Sequence, residues 1–180
     1  MYRTLQGDPH PRLPYACLMP LRLAQISDLP RIVALERTPA ALAFVGQWSE
    51  QRHRATLTGG DAGYYLWQSE TRDAEAYAIL RGLSESSGSI ELKRIVVAAP
   101  GRGLGRKLLN ELLAIAFDQL QAHRVFLDVF EDNARARHVY ESLGFVYEGV
   151  MREAALRDGI YCNLHLMSML ADEYKARRRA

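Results

Sequence analysis

Three glycines, Gly101, Gly103 and Gly105, alternate through a short stretch that joins an apolar, strand-like run to an amphipathic, helix-like one. Glycine has no Cβ to hold a ligand away, so such a loop can turn several backbone N–H groups toward an anion at the positive end of a helix dipole. From Lys93 to Lys107 stand five basic residues, Lys93, Arg94, Arg102, Arg106 and Lys107, and no acidic one. Point charges thus reinforce the loop, and a guest bearing several phosphate charges explains the stretch better than a bare strand-to-helix turn. Two familiar phosphate loops do not fit. The P-loop and the Gly-x-Gly-x-x-Gly dinucleotide fingerprint both need glycine at the position of Arg106.

Further on, Asn133 and Tyr140 are seven residues apart. On a helix, seven residues turn through about 700° and rise about 10 Å, so the two side chains project on one side and an extended ligand could meet both. A plainer reading uses the same spacing: Ala136, Val139, Tyr140 and Leu143 form an apolar helical stripe, with Asn133 as a helix cap. Both readings stand at this point. Other constellations carry no chemistry. The histidines His10, His53, His123, His138 and His165 show no metal-ligand spacing, so no metal is expected. Cys162 and His165, three apart on a strand, point to opposite faces, and no Gly-x-Ser-x-Gly nucleophile elbow occurs.

The elements that must position these groups are readable in outline. An apolar run at 18–23 reads as a strand, and Ser27 and Asp28 start a helix with Pro30 in its first turn. Residues 39–58 carry a weak helical pattern with Ser49 as a candidate cap. Strand-like runs over 63–68, 75–83 and 89–97 make a meander, with a turn at 70–73 and a serine-rich loop at 84–89. The helix after the glycine loop shows Leu104, Leu108, Leu112 and Ile115, with Leu109, Leu113 and Leu120, on one apolar face. A strand over 124–130 follows, then a helix over 133–143 stopped by Gly144, then strands over 145–151 and 160–169 around a turn at Arg157, Asp158 and Gly159. Strand, helix, strand in the middle predicts a right-handed crossover between parallel strands.

Composition sets the outer limits. With 180 residues, 48% apolar and 24% charged, the chain is long enough for one well-buried core without disulfides or metal. Two distant cysteines, Cys17 and Cys162, read as reduced thiols, and neither a membrane span nor a signal peptide is visible, so a cytoplasmic protein is expected. Three prolines in residues 1–16 mark an extended lead-in, 17–171 the folded domain, and 172–180 a solvated basic tail with Lys175, Arg177, Arg178 and Arg179. The net charge of +2 is a sum of unlike parts. Setting aside the four tail cations and the five of the 93–107 window, 14 basic residues face 21 acidic ones, so charge does not favour a nucleic-acid partner.

The stretch from Ile95 to Leu109, reading IVVAAPGRGLGRKLL, is joined downstream by Leu127-Asp128-Val129, Asn133, Tyr140, Leu143-Gly144-Phe145 and Glu148-Gly149. Together they resemble the acetyl-CoA-binding pattern of the GNAT superfamily of N-acetyltransferases, over about residues 20–170. One position departs: the family usually carries Gln or Arg three residues before Gly103, and here stands Pro100. The resemblance implies a single α/β GNAT-like domain. Its central sheet is mixed and mostly antiparallel, with about six or seven strands, one splayed parallel pair and about four flanking helices. It implies acetyl-CoA as cosubstrate, with the diphosphate on the N–H groups of Arg102, Gly103, Leu104, Gly105 and Arg106. The pantetheine arm would lie along Ile95 and Val97 beside Asn133.

The resemblance further makes Tyr140 the general acid for the departing thiolate. Tyrosine, with an ordinary pKa near 10, keeps its proton where a thiol near 8.5 leaves as an anion. A backbone N–H near Val96 or Val97 would face the acetyl oxygen. The acceptor is then a primary amine, either a small molecule or a protein N-terminus, attacking directly in a ternary complex. It must lose a proton, and Glu91 is the candidate base, since period-two alternation puts it on the face of Lys93 and Ile95. A surface salt bridge to Lys93 or Arg94 is the alternative, and Glu148 and Glu153 are weaker candidates. The closing segment from Gly149 to Tyr161 resembles the branch that includes ribosomal-protein N-terminal and polyamine acetyltransferases. A non-catalytic CoA-binding sensor or scaffold is the alternative function, an RNA-associated protein the third, and a homodimer is left open.

Overall fold

A computed structural model describes residues 20–68 and 73–179. The expected lead-in, Cys17 and most of the turn at 70–73 lie outside these residues. Seven strands form one sheet: β1 (Leu21–Leu23), β2 (Ala62–Gln68), β3 (Ala74–Arg81), β4 (Ser89–Val97), β5 (Arg124–Phe130), β6 (Val146–Arg157) and β7 (Ile160–Leu170). Their spatial order is β1-β2-β3-β4-β5-β7-β6, and every pairing is antiparallel except β4 with β5. The mixed sheet with a single parallel pair is the expected architecture.

Helices number six among the described residues, not about four: α1 (Leu29–Glu36), α2 (Pro39–Leu42), α3 (Glu50–Thr58), α4 (Leu104–Ala114), α5 (Ala134–Ser142) and α6 (Ala171–Arg179). The short α2 and the terminal α6 account for the difference. A 3₁₀ turn over Ile26–Asp28 precedes α1, with Pro30 in the first helical turn. Ser49 caps α3 as expected, its side chain accepting from the Arg52 N–H at 3.2 Å. No described helix is long and apolar enough to cross a membrane.

Two apolar layers hold the sheet. On one face α4, α5 and α6 cover Leu108, Leu112, Leu127, Leu143 and Met167. On the other, α1 and the chain up to Trp48 cover Leu29, Ile32, Leu35, Tyr77 and Ile79. Residues 172–180, expected as a solvated tail, are instead largely the docked helix α6. Tyr174 is 4% exposed, stacks on Phe117 at 4.7 Å and donates to Asp118 at 2.9 Å. Arg177 and Arg178 bond Asn110 and Asp118. An aromatic just ahead of a basic run buries its ring while the cations reach along the helix to surface partners.

The last hairpin is longer than expected. β6 runs through to Arg157, because two bulges, between Tyr147 and Gly149 and between Met151 and Ala155, break the alternation that marks a strand in sequence. Asp158 (φ 52°) and Gly159 (φ 79°) make the left-handed pair that a two-residue hairpin turn requires.

Candidate active site

β4 and β5 pair only from Ser89, Ile90 and Glu91 to Arg124, Val125 and Phe126. Beyond Glu91 the two strands part, and a cavity of about 1090 Å³ opens between them. The facing edges of β4 and β5 there have no ladder partner, so an arm carrying amide groups can extend either one. On its far side β4 remains bonded to β3 through Val97 opposite Ala76, which keeps the open edge rigid.

The glycine loop closes one end of this cavity. Gly101 (φ 93°) and Gly103 (φ 76°) are both left-handed, and a Cβ at either would meet no atom within 4 Å. Glycine is thus needed for the backbone and not for want of room; the space above the loop is open. Gly103 is the N-cap of α4 and no side chain caps the helix, so its first N–H groups are left for an outside acceptor. Ile95, Val97, Gly103, Leu104, Gly105, Arg106 and Asn133 all line the cavity, while the exposed Arg102 does not. Arg106 also donates to the Ser142 hydroxyl and ties α4 to α5.

Two members of the expected basic focus are engaged elsewhere. Arg94 is 9% exposed, bound to the buried Glu36 carboxylate and to the Gly46 carbonyl. Lys93 donates to Glu91 at 3.0 Å and lies 3.6 Å from Asp128. Arg102, Arg106 and Lys107 are the cations left near the loop.

Asn133 and Tyr140 satisfy both readings of their spacing. Asn133 caps α5, its Oδ1 accepting the Ala136 N–H at 3.1 Å, and still lines the cavity. Tyr140 is 7% exposed and packs edge-on against Phe145. Its hydroxyl makes no hydrogen bond among the described residues, yet it lines the same cavity. Burial, followed by the charge of Asp128, pushes its pKa above the ordinary 10.

Glu91 lines the cavity as expected, but not on the face of Ile95. The register of β4 against β3 shifts between Leu80 opposite Leu92 and Ile79 opposite Arg94, leaving Lys93 as an extra residue. Ile90 and Leu92 before this bulge, and Ile95 and Val97 after it, all pack on the α4 side. Strict alternation is reversed there, so Glu91 and Ile95 point opposite ways. Glu91 also lies 3.8 Å from Arg81. Of the weaker candidates, Glu148 is held by Ser168 at 2.6 Å and Arg124 at 2.7 Å, and Glu153 sits in a bulge at φ 52°; neither lines the cavity. The Ser168 hydrogen bond, with help from Arg124 against partial burial, holds the Glu148 carboxyl below its usual range.

Sequence reasoning missed three features. Asp128 faces the cleft beside Lys93, and the alternation of β5, with Val125, Leu127 and Val129 in the core, was the available signal. A buried polar cluster joins Glu36, His53, Tyr77 and Arg94 behind the cleft, and its members are too far apart in sequence to leave a pattern. Arg157 reaches from β6 to Asp132 at 2.5 Å and to the Ala43 carbonyl at 3.1 Å while stacking on Phe130, which lines the cavity.

A splayed parallel pair, a left-handed glycine loop opening a helix, and a tyrosine in the gap make a cleft with room for an extended ligand and free N–H groups for an anion at one end. The chain belongs to the acetyltransferase (GNAT) family, whose sequence model matches residues 31–145. It is 35% identical over 82 residues to a spermidine N(1)-acetyltransferase of Vibrio cholerae, covering 44% of this chain and 47% of the relative. It is 37% identical over 67 residues to an L-amino acid N-acetyltransferase of Escherichia coli, covering 37% and 41%. The matched stretch thus spans under half the length of either relative. The structure of the spermidine N-acetyltransferase of V. cholerae solved with CoA and spermine shares the fold. Its TM-score is 0.76 at 24% identity, over 86% of this chain and 96% of that one.

Proposed function

We propose that this protein transfers the acetyl group of acetyl-CoA to a primary amine by direct attack in a ternary complex. The observation that carries this reading is the parting of β4 from β5 beyond Glu91, with the uncapped helix start of α4 at one end and the Tyr140 hydroxyl in the gap. The named relatives act on amines of different kinds, which supports the amine and not any one of them.

Acetyl-CoA would supply an activated acetyl group on a thiol leaving group with a reference pKa near 8.5. The N–H groups from Arg102 to Arg106 would hold the diphosphate, and the open edge of β4 at Ile95 and Val97 would align the arm. The Asn133 carboxamide retains its N–H donors for that arm while its oxygen caps α5. Tyr140, its pKa raised by burial and then by Asp128, keeps its proton through the neutral range and can give it to the sulfur. Glu91, directly or through water, would take the amine proton; Asp128 shares its Lys93 partner.

The test is Tyr140→Phe. Loss of the general acid should lower kcat on the order of 10²-fold while CoA affinity in calorimetry changes little. Wild-type activity in this variant returns Tyr140 to the core alone. Tight CoA binding with no turnover of any amine by the wild type supports the sensor or scaffold alternative.

A further inference from the structure

The acceptor half of the cleft is neutralised from within. Glu91 and Asp128 are the only carboxylates that line the cavity among the described residues, and one ammonium engages both: Lys93 Nζ lies 3.0 Å from Glu91 and 3.6 Å from Asp128. The β4 bulge inserts Lys93 between them, and bulges characteristically re-aim a side chain in this way. Arg81 adds a second cation to Glu91 at 3.8 Å. Arg124, also on the cavity wall, is paired with Glu148, which does not line it. The wall beside them carries three phenylalanines among aliphatic side chains: Phe44 from the chain after α2, Phe126 and Phe130 from β5, Met151 and Leu156 from β6, and Leu166 from β7, with Arg124 stacked on Phe126 and Arg157 on Phe130.

A polyamine brings two or three ammonium groups a few ångströms apart, and a site that selects it needs carboxylates free to meet the charges that do not react. Here each lining carboxylate already has a cation, and Lys93 and Arg124 would meet an incoming polycation with like charge. A single amine with an apolar tail asks only that one nitrogen reach the Glu91 and Asp128 pair, while its tail displaces water from the phenylalanine wall.

Resting on the acetyl-transfer reading, we propose that the acceptor is a monoamine carrying an apolar or aromatic substituent, which seats against Phe44, Phe126 and Phe130, and that Lys93 excludes polyamines. Lys93 acts as a specificity residue through the two carboxylates it occupies.

The experiment measures thiol release from acetyl-CoA by the full chain with 2-phenylethylamine, spermidine and an N-terminal peptide, alongside CoA binding in calorimetry. The expected kcat/KM for 2-phenylethylamine exceeds that for spermidine by at least tenfold. In Lys93→Met Asp128 is released and Glu91 keeps only Arg81, at 3.8 Å, and the spermidine to phenylethylamine ratio should rise on the order of tenfold. Phe126→Ser, a second variant on a half-buried side chain, should lower kcat/KM for phenylethylamine about tenfold and leave spermidine nearly unchanged. Spermidine or the peptide as the better substrate of the wild type, or a ratio indifferent to both substitutions, overturns the proposal. CoA binding with no turnover of any amine removes the acetyl-transfer reading and this proposal with it, and absence of CoA binding removes the cofactor site itself.

Discussion

Glu36→Gln tests the buried cluster behind the cleft. Glu36 is 1% exposed. Its Oε1 accepts from the Tyr77 hydroxyl and the Arg94 guanidinium and lies 3.2 Å from His53 Nε2, and its Oε2 accepts the Trp48 N–H at 3.1 Å. Burial alone would raise its pKa. Hydrogen bonds to His53 and Tyr77, the Arg94 charge and the Trp48 N–H outweigh it and hold the carboxyl below its ordinary value. Glutamine keeps the volume and removes the charge, leaving the Arg94 guanidinium buried without a counter-ion. Breaking a buried pair from one side costs about 3–5 kcal/mol, which for a chain of this size lowers Tm by about 6–20 °C. Urea unfolding followed by tryptophan fluorescence measures it. In the double variant Glu36→Gln with Arg94→Met the orphaned cation is gone, so the two effects should fall short of additivity by about 2 kcal/mol or more. Because the native pKa is depressed, the wild-type advantage is complete above about pH 5 and shrinks as pH falls through the native value, where the carboxylate protonates. A cost below about 1 kcal/mol, or strict additivity with Arg94→Met, would refute the assignment of the cluster as a charge-paired core.

Three further outcomes are expected. Gly103→Val forces a β-branched residue to φ 76° and should weaken CoA binding on the order of tenfold, whereas Gly103→Asn, which tolerates that region, should weaken it less; equal, wild-type binding in calorimetry would take the loop out of the site. Tyr174→Ala should cost on the order of 3 kcal/mol by emptying the space against Phe117, with CoA affinity unchanged; a cost within 0.5 kcal/mol, roughly the range of ordinary surface substitutions, would make the terminal helix a solvated fringe after all. With the Tyr140 pKa raised above 10, the pH profile of turnover should show no falling limb below pH 10 that belongs to this residue. A limb near pH 9 that vanishes in Tyr140→Phe would contradict the burial.

The order of strand, glycine loop, helix and strand was legible in the chain because each signal is local. Left-handed turns need Gly101 and Gly103, the stripe from Leu104 to Leu113 has the helical period, and Asn133 stands where α5 begins. From those, the family pattern and a single α/β domain with one parallel pair followed by sequence reasoning alone. The terminal basic residues are exposed as their composition suggests, but the segment carrying them is a helix anchored by one ring, Tyr174, packed on Phe117.

What the tertiary structure decided was the partner of each charge. Lys93 and Arg94 read as neighbours in a phosphate-binding focus, yet an inserted residue in β4 sends one to Glu91 and Asp128 and the other to Glu36, 58 residues away. A bulge is invisible to a period of two until the neighbouring strand sets the register, and a buried carboxylate chooses its cation by desolvation in three dimensions. The proposed cofactor site was therefore written in local spacing, whereas the charge pairing of the proposed acceptor wall came into being only when distant strands met.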